Sequence, residues 1–306
     1  MFELIQAAEN TYYIDCPVKM GIYRLPDNKV ILIDSGNDRE AGRKVLKLIN
    51  EKKWTLKAII NTHSNADHIG GNKFLYDRTG CRIYANGMEK PFCEYPVFEP
   101  SFLFGAFPNK HLRHKFLMAE PCRVTDIGEF SMPPNMETFP LKGHYFDMIG
   151  IKTPDNVYFL ADCVFSEPVL NKYPVSFIYD VAEFLKTLDF IETLSGEMFI
   201  PAHTEPVKDI KPLAAVNRQK VFEVIDCIKQ ICEKPLPFET ILKEVFDKRS
   251  MQMDIAQYVL AGSTIKSYLS YMLDNNILDM EIKDNYLLWK LSSPVVPDAS
   301  RDNSAE

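Results

Sequence analysis

Two imidazoles and a carboxylate fall within six residues in Thr62-His63-Ser64-Asn65-Ala66-Asp67-His68-Ile69-Gly70-Gly71. Neutral imidazole and carboxylate are the standard donors for zinc and its transition-metal neighbours. The loop directly follows the apolar run Ala58-Ile59-Ile60. A buried strand that ends in such side chains fans them outward, as a metal-binding loop requires. Taken alone, the run also reads as a solvated polar turn. The rest of the chain argues against that. Only six histidines occur, and His144 and His203, like His63 and His68, lie just beyond short apolar runs. Asp162 closes another such run, Val157–Ala161.

The elements that must position these residues alternate along the first two thirds of the chain. Thr11–Asp15, Gly21–Leu25 and Val30–Asp34 read as strands, with Pro26-Asp27-Asn28 turning between the last two. Arg39–Lys53 carries an apolar face of Val45, Leu46, Leu48 and Ile49 and reads as a helix. Strand signals return at Glu137–Leu141, Met148–Lys152 and Val157–Ala161, then again at Met198–Ile200. Between them Val181, Phe184, Leu185, Leu188 and Ile191 predict an amphipathic helix. From about residue 211 the pattern turns helical, with helices over Phe238–Phe246 and Ile255–Leu273. It closes on a hairpin, Ile277–Ile282 with Tyr286–Leu291, the outline of a winged-helix module. The organisation expected is residues 1–211, 212–292, and a polar, disordered tail at 293–306.

Residues 87–121 break the alternation with a proline- and phenylalanine-rich stretch. It reads equally as a lid over a binding site and as an insertion with a small core of its own. Phe102 and Phe104 are candidates for an apolar substrate wall. Lys110 and Arg113, in the basic run Lys110–Lys115, are candidates for holding an anionic group.

Composition narrows the function classes. The chain has 306 residues, 46% hydrophobic and 25% charged, which is globular, and its 35 Lys+Arg against 42 Asp+Glu leave a net charge of −7. An acidic balance argues against broad binding to nucleic acid or an anionic membrane. Residues 212–292 are net acidic too, without the basic footprint of a DNA-reading helix, so a wall for the site or a homodimer contact is the expectation there. Seven scattered cysteines without a CxxC pair fit reduced thiols in a cytoplasmic protein. The N-terminal residues lack a secretory pattern, and no apolar run approaches the ~18 residues of a membrane span. G-x-S-x-G is absent, which disfavours a serine hydrolase, and Cys163 reads as a buried small residue rather than a nucleophile.

In order, Ile33-Asp34-Ser35-Gly36, the loop at 63–68, Gly143-His144, Leu160-Ala161-Asp162 and Pro201-Ala202-His203 resemble the signatures of the metallo-β-lactamase superfamily. The resemblance implies an α/β fold, a four-layer αββα sandwich with the site at one edge between its sheets, followed here by the small helical unit. It implies one metal on His63, the residue at 65 and His144, and a second on Asp67, His68 and His203. Asp162 bridges them, and Asp34 holds loops behind the site. The family pattern HxHxDH carries Asn65 in place of its middle histidine. An amide oxygen is a weaker, harder donor than imidazole, so one or two divalent ions are expected, zinc first, with manganese or iron as alternatives. The activity implied is attack of metal-bound hydroxide, oriented by Asp67, on an ester, thioester or lactone-like small molecule. Alternatives on the same scaffold are a non-haem iron redox enzyme, a phosphodiesterase or, last, a DNA-binding sensor.

Overall fold

A computed structural model describes residues 2–293; the tail expected at 293–306 lies outside them apart from its first residue. The first sheet runs in chain order through β1 (Glu3–Gln6), β2 (Thr11–Asp15), β3 (Met20–Arg24), β4 (Lys29–Ile33), β5 (Thr55–Ile60), β6 (Arg82–Ala85) and β7 (Thr125–Asp126). Strands β1 to β4 pair antiparallel, whereas β4 to β7 are parallel. The helices α1 (Arg39–Glu51), α2 (Ala66–Ile69) and α3 (Asn72–Thr79) fall among them, with α4 (Glu89–Glu94) and α5 (Phe98–Phe104) inside the 87–121 insertion. The second sheet has the order β11-β10-β9-β8, built from β8 (Glu137–Pro140), β9 (Ile149–Lys152), β10 (Val157–Ala161) and β11 (Met198–Pro201).

Strand alternation shows how the layers stack. In β4, Ile31 and Ile33 join Ile60, Ile149, Ile151, Val157, Phe159 and Ile200 in a core between the two sheets. Val30 and Leu32 face the other way, onto Val45 and Ile49 of α1 and Leu75 of α3. A strand buried on both faces reads as a continuous apolar run, which is why Val30–Ile33 has no polar interruptions. On β10, Tyr158 and Leu160 face away from the intersheet core onto Phe184 and Leu188 of α7 (Val181–Ile191). The arrangement is the αββα sandwich expected.

Helix α6 (Glu167–Lys172), which carries little apolar periodicity, was not legible in the sequence. The C-terminal part comprises α8 (Lys211–Ile231), α9 (Phe238–Lys248) and α10 (Ile255–Asp274), with a sheet of order β12-β14-β13 from β12 (Leu236–Pro237), β13 (Leu278–Lys283) and β14 (Tyr286–Leu291). Val221, Val224, Ile241 and Ile265 from these helices share one continuous core with Leu160 and Phe184 of the sandwich. Among the described residues no helix is long and apolar enough to cross a membrane.

Candidate metal centre

The site is assembled at the carboxyl ends of parallel strands from both sheets, where α/β folds open their crevices. Asp34 follows β4, Thr62 and His63 follow β5, Asp162 follows β10 and His203 follows β11. Two of these turns carry unusual backbone. Asp34 (φ 59°) and Ala161 (φ 49°) are non-glycine residues in the left-handed region, a strain that a firmly packed surrounding must hold in place. Before His144, Gly143 has φ 114°, and a Cβ there would lie 2.2 Å from the Phe184 backbone nitrogen. Only glycine fits.

The structure brings the six histidine and aspartate candidates into two groups, His63 with His144 and Asp162, and Asp67 with His68 and His203; within each, ligand atoms lie within 4.8 Å of one another. Asp162 also joins the groups: its carboxylate is 3.0 Å from His68 Nε2, 3.0 Å from His203 Nε2 and 3.7 Å from His144 Nε2. His203 Nε2 is 3.4 Å from Asp67 Oδ2. His63, His68, His144 and Asp162 are buried, while Asp67 and His203 are partly exposed, so the mouth of the site lies on their side.

Hydrogen bonds behind the rings fix which nitrogen faces inward. Asp34 Oδ2 lies 2.8 Å from His68 Nδ1 and accepts from the Thr62 hydroxyl at 2.7 Å, and Thr62 Oγ1 is in turn 3.1 Å from His63 Nδ1. The Phe177 carbonyl lies 3.1 Å from His144 Nδ1 and needs a proton there. His63 and His144 thus carry Nδ1–H and turn a lone pair on Nε2 toward the centre, the arrangement that orients metal-binding histidines. His68 carries Nδ1–H as well, but despite its burial Asp162, Asp34 and Asp67 raise it well above the usual imidazole range, so a metal there would displace its Nε2 proton. His63 Nε2 is fully buried without a hydrogen-bond partner, and the equally buried His68 Nε2 and Asp162 Oδ1 face only each other, at 3.0 Å. Buried polar atoms left in this way are costly, and divalent cations, one held by each group, would satisfy them. The donor set fits such an ion.

The charges support the same conclusion. Burial, and then the neighbouring His68, push His63 far below the usual imidazole range, and burial likewise lowers His144, so both are neutral donors. Burial opposes protonation of His203 as well, but Asp162 and Asp67 raise it to about 10. Burial raises Asp67, yet His68 and His203 outweigh it and hold the carboxylate ionised. This concentration of carboxylates demands positive charge, which metal ions also supply.

Residue 65 takes part. Asn65 Oδ1 is 3.2 Å from His144 Nε2, and its Nδ2 donates to Glu99 Oε1 at 2.8 Å. Glu99 stands on α5, and Glu89, at the start of α4, accepts from the Ser64 backbone N–H at 2.9 Å and the Ser64 hydroxyl at 2.6 Å. Both glutamates are buried. The insertion therefore braces the loop at 63–65, a role the sequence reading missed. The available signal was an acid inside an aromatic stretch, Phe98-Glu99-Pro100, where only a satisfied carboxylate is tolerated.

The other sequence candidates lie elsewhere. Phe102 packs edge-on against Phe146 and Tyr179, Phe104 is exposed, and Arg113 sits over the exposed Phe107 ring. Lys110 is exposed. Among the described residues no ion pair, hydrogen bond or ring contact links these four to the histidine and aspartate groups. Leu103, Leu112 and Leu117 of the insertion pack with Val259 of α10 in a satellite cluster shared between the two segments. Cys163 is buried and its thiol is pushed far up by that burial, away from nucleophilic use.

The C-terminal helices reach the site indirectly. The Ser267 hydroxyl on α10 donates to the Tyr179 carbonyl at 2.7 Å, and the backbone N–H groups of Tyr179 and Asp180 donate to the Gly143 carbonyl at 2.9 and 3.0 Å. The segment 177–180 thus holds His144 from behind and is itself held by α10.

Comparisons with known proteins agree with this geometry. A family model described as the metallo-beta-lactamase superfamily matches residues 13–203. The chain is 40% identical over 68 residues to a hydroxyacylglutathione hydrolase of Erythrobacter litoralis (strain HTCC2594), a match covering 20% of this chain. It spans about a quarter of that relative, 27% of its length. A beta-lactamase domain protein from Burkholderia ambifaria superposes with a TM-score of 0.74 at 17% identity, over 95% of this chain and 94% of the other. A metallo-beta-lactamase family protein from Thermus thermophilus gives 0.69 at 16% identity, over 92% and 98%. At such identities these two likenesses speak for the fold, C-terminal helices included. With the family match spanning residues 13–203, well over half of the chain, the chain belongs to the metallo-β-lactamase superfamily.

Proposed function

We propose that the protein is a metal-dependent hydrolase of a small acyl substrate, an ester, thioester or lactone. Its centre holds one ion on His63, Asn65 and His144 and another on Asp67, His68 and His203, with Asp162 shared. The observation that carries this reading is the convergence of four imidazoles on Asp162, with buried Nε2 and carboxylate oxygen atoms left without other partners. Zinc suits a set with four imidazoles, and the amide oxygen of Asn65 leaves manganese or iron as alternatives. A divalent cation supplies Lewis acidity, making water acidic enough to attack near neutral pH and polarising a carbonyl oxygen.

The chain's own residues do the rest. Asp67, partly exposed at the mouth and held ionised, accepts a hydrogen bond from the attacking water and orients it. His203, stacked on Phe165 with ring centroids 5.9 Å apart, forms the rim over which substrate enters. Asp34 keeps His68 in the right tautomer. Similarity to a hydroxyacylglutathione hydrolase adds weight to an acyl substrate. The acidic chain favours a small molecule over nucleic acid. Incubating zinc- and manganese-loaded protein with an aryl ester, an S-acylglutathione, a lactone and an aryl phosphodiester tests the proposal. Turnover of an acyl compound, lost in Asp67→Ala, supports it. Turnover of the phosphodiester alone, or oxygen-dependent turnover with iron alone, overturns it.

A further inference from the structure

Position 65 places an amide where its neighbours in space are imidazoles, and an amide has two unlike ends. Asn65 Oδ1 faces His144 Nε2 at 3.2 Å. Because the Phe177 carbonyl takes the proton on His144 Nδ1, that Nε2 presents a lone pair. Two acceptors therefore confront each other, an arrangement that a cation between them resolves and that an inverted amide would replace by an N–H···N hydrogen bond. With the amide inverted, an NH2 group would fill the position and no donor atom would remain there.

The other end of the amide decides its orientation. Asn65 Nδ2 donates to Glu99 Oε1 at 2.8 Å, and Glu99 is only 6% exposed. Its helix is anchored by the packing of Leu103 against Leu112, Leu117 and Val259. Oε1 stands at this bond as an acceptor and so meets the NH2 end. Burial pushes the Glu99 carboxyl well above its usual range, and the acid form keeps a C=O acceptor for the same bond. We propose that Glu99 is a positioning residue for the metal centre, fixing the Asn65 amide with Oδ1 turned toward the ion shared with His63 and His144. The hydrogen bond also polarises the amide, leaving more negative charge on Oδ1. The weak donor at residue 65 is thus strengthened from a segment that, in sequence, lies outside every metal-binding motif. This inference rests on the ligand assignment proposed above.

Titration of Zn(II) alone into demetallated protein, against a chromogenic chelator, tests it with four variants: Glu99→Leu, Glu99→Gln, Asn65→Ala and Asn65→Ala/Glu99→Leu. Outer partners of metal ligands typically contribute ~10–100-fold to affinity. Glu99→Leu is expected to lose that much at one of two sites and leave the other unchanged. Glu99→Gln, which keeps an acceptor oxygen, is expected to fall between wild type and Glu99→Leu. The double variant is expected to bind no more weakly than Asn65→Ala. Side-chain amide NMR of metal-free protein gives a second readout: the Asn65 NH2 signals should shift in Glu99→Gln, whether or not the leucine variant folds. Wild-type affinity in Glu99→Leu, unshifted Asn65 signals, or a further loss in the double variant would overturn the positioning role. Wild-type affinity in Asn65→Ala would instead show that residue 65 is no ligand, which removes the assignment on which the inference stands.

Discussion

Asp34 Oδ2 lies 2.8 Å from His68 Nδ1, with both side chains buried. The same carboxylate accepts from the Thr62 backbone N–H at 2.8 Å and from its hydroxyl, so one strand-end aspartate fixes both flanks of the metal loop. Its charge thereby sets the face that His68 shows to the centre.

Asp34→Asn removes that control. The amide can offer an NH2 to His68 Nδ1, which moves the ring proton to Nε2 and blocks metal binding there. Zinc affinity at the Asp67, His68 and His203 group is expected to fall ~10–100-fold with the fold retained. Chelator competition and circular dichroism read the two quantities. Unchanged affinity would refute the tautomer argument.

Asp162 and Asp67 should differ in kind. Asp162 contacts imidazoles of both groups, so Asp162→Ala is expected to lose both ions. Asp67→Ala should lose one, and its turnover should fall ~10²–10⁴-fold through loss of the group that orients water. Metal analysis after gel filtration distinguishes a content of zero from one. Equal metal content in the two variants would contradict the sharing of Asp162.

Burial raises Glu89 from 4.5 to about 7, and hydrogen bonds from Ser64 and the Asp147 N–H only partly offset it. The folded chain therefore holds an extra proton between those values. Its stabilising contribution is present below about pH 4.5 and is lost as pH rises through about 7, which amounts to about 3 kcal/mol by linkage. In urea unfolding of metal-free protein, wild type should lose stability relative to Glu89→Gln between pH 5 and pH 8. Parallel pH profiles would place the carboxyl in its ordinary range.

Gly143→Ala combines positive φ with a Cβ placed against the Phe184 backbone, and it is expected to cost more than ~3 kcal/mol. Thermal unfolding measures it. A loss below ~1 kcal/mol would mean that the turn before His144 yields easily.

The sandwich and the six clustered histidine and aspartate residues were legible because each signal is local: an apolar strand followed at once by a ligand-type side chain. β4, β5, β10 and β11 all have that form. Glu89 and Glu99 were not legible, since they meet Ser64 and Asn65 only through the path of a proline-rich insertion, which no spacing rule encodes. The role of the aromatic residues is a different matter. Phe102 is half-buried against Phe146 and Tyr179, and composition alone does not separate a packed ring from a substrate wall. The support that α10 gives to His144 through Ser267 and Tyr179 is likewise tertiary, joining segments about 90 residues apart.

The central claim is that the two histidine and aspartate groups bind metal ions around Asp162. Anomalous-difference maps of crystals grown with zinc, recorded on both sides of the zinc edge, test it most directly. The account predicts two edge-dependent peaks, one within reach of His63, Asn65, His144 and Asp162 and the other within reach of Asp67, His68, His203 and Asp162. Absence of any peak among these residues in protein that carries stoichiometric zinc would contradict it.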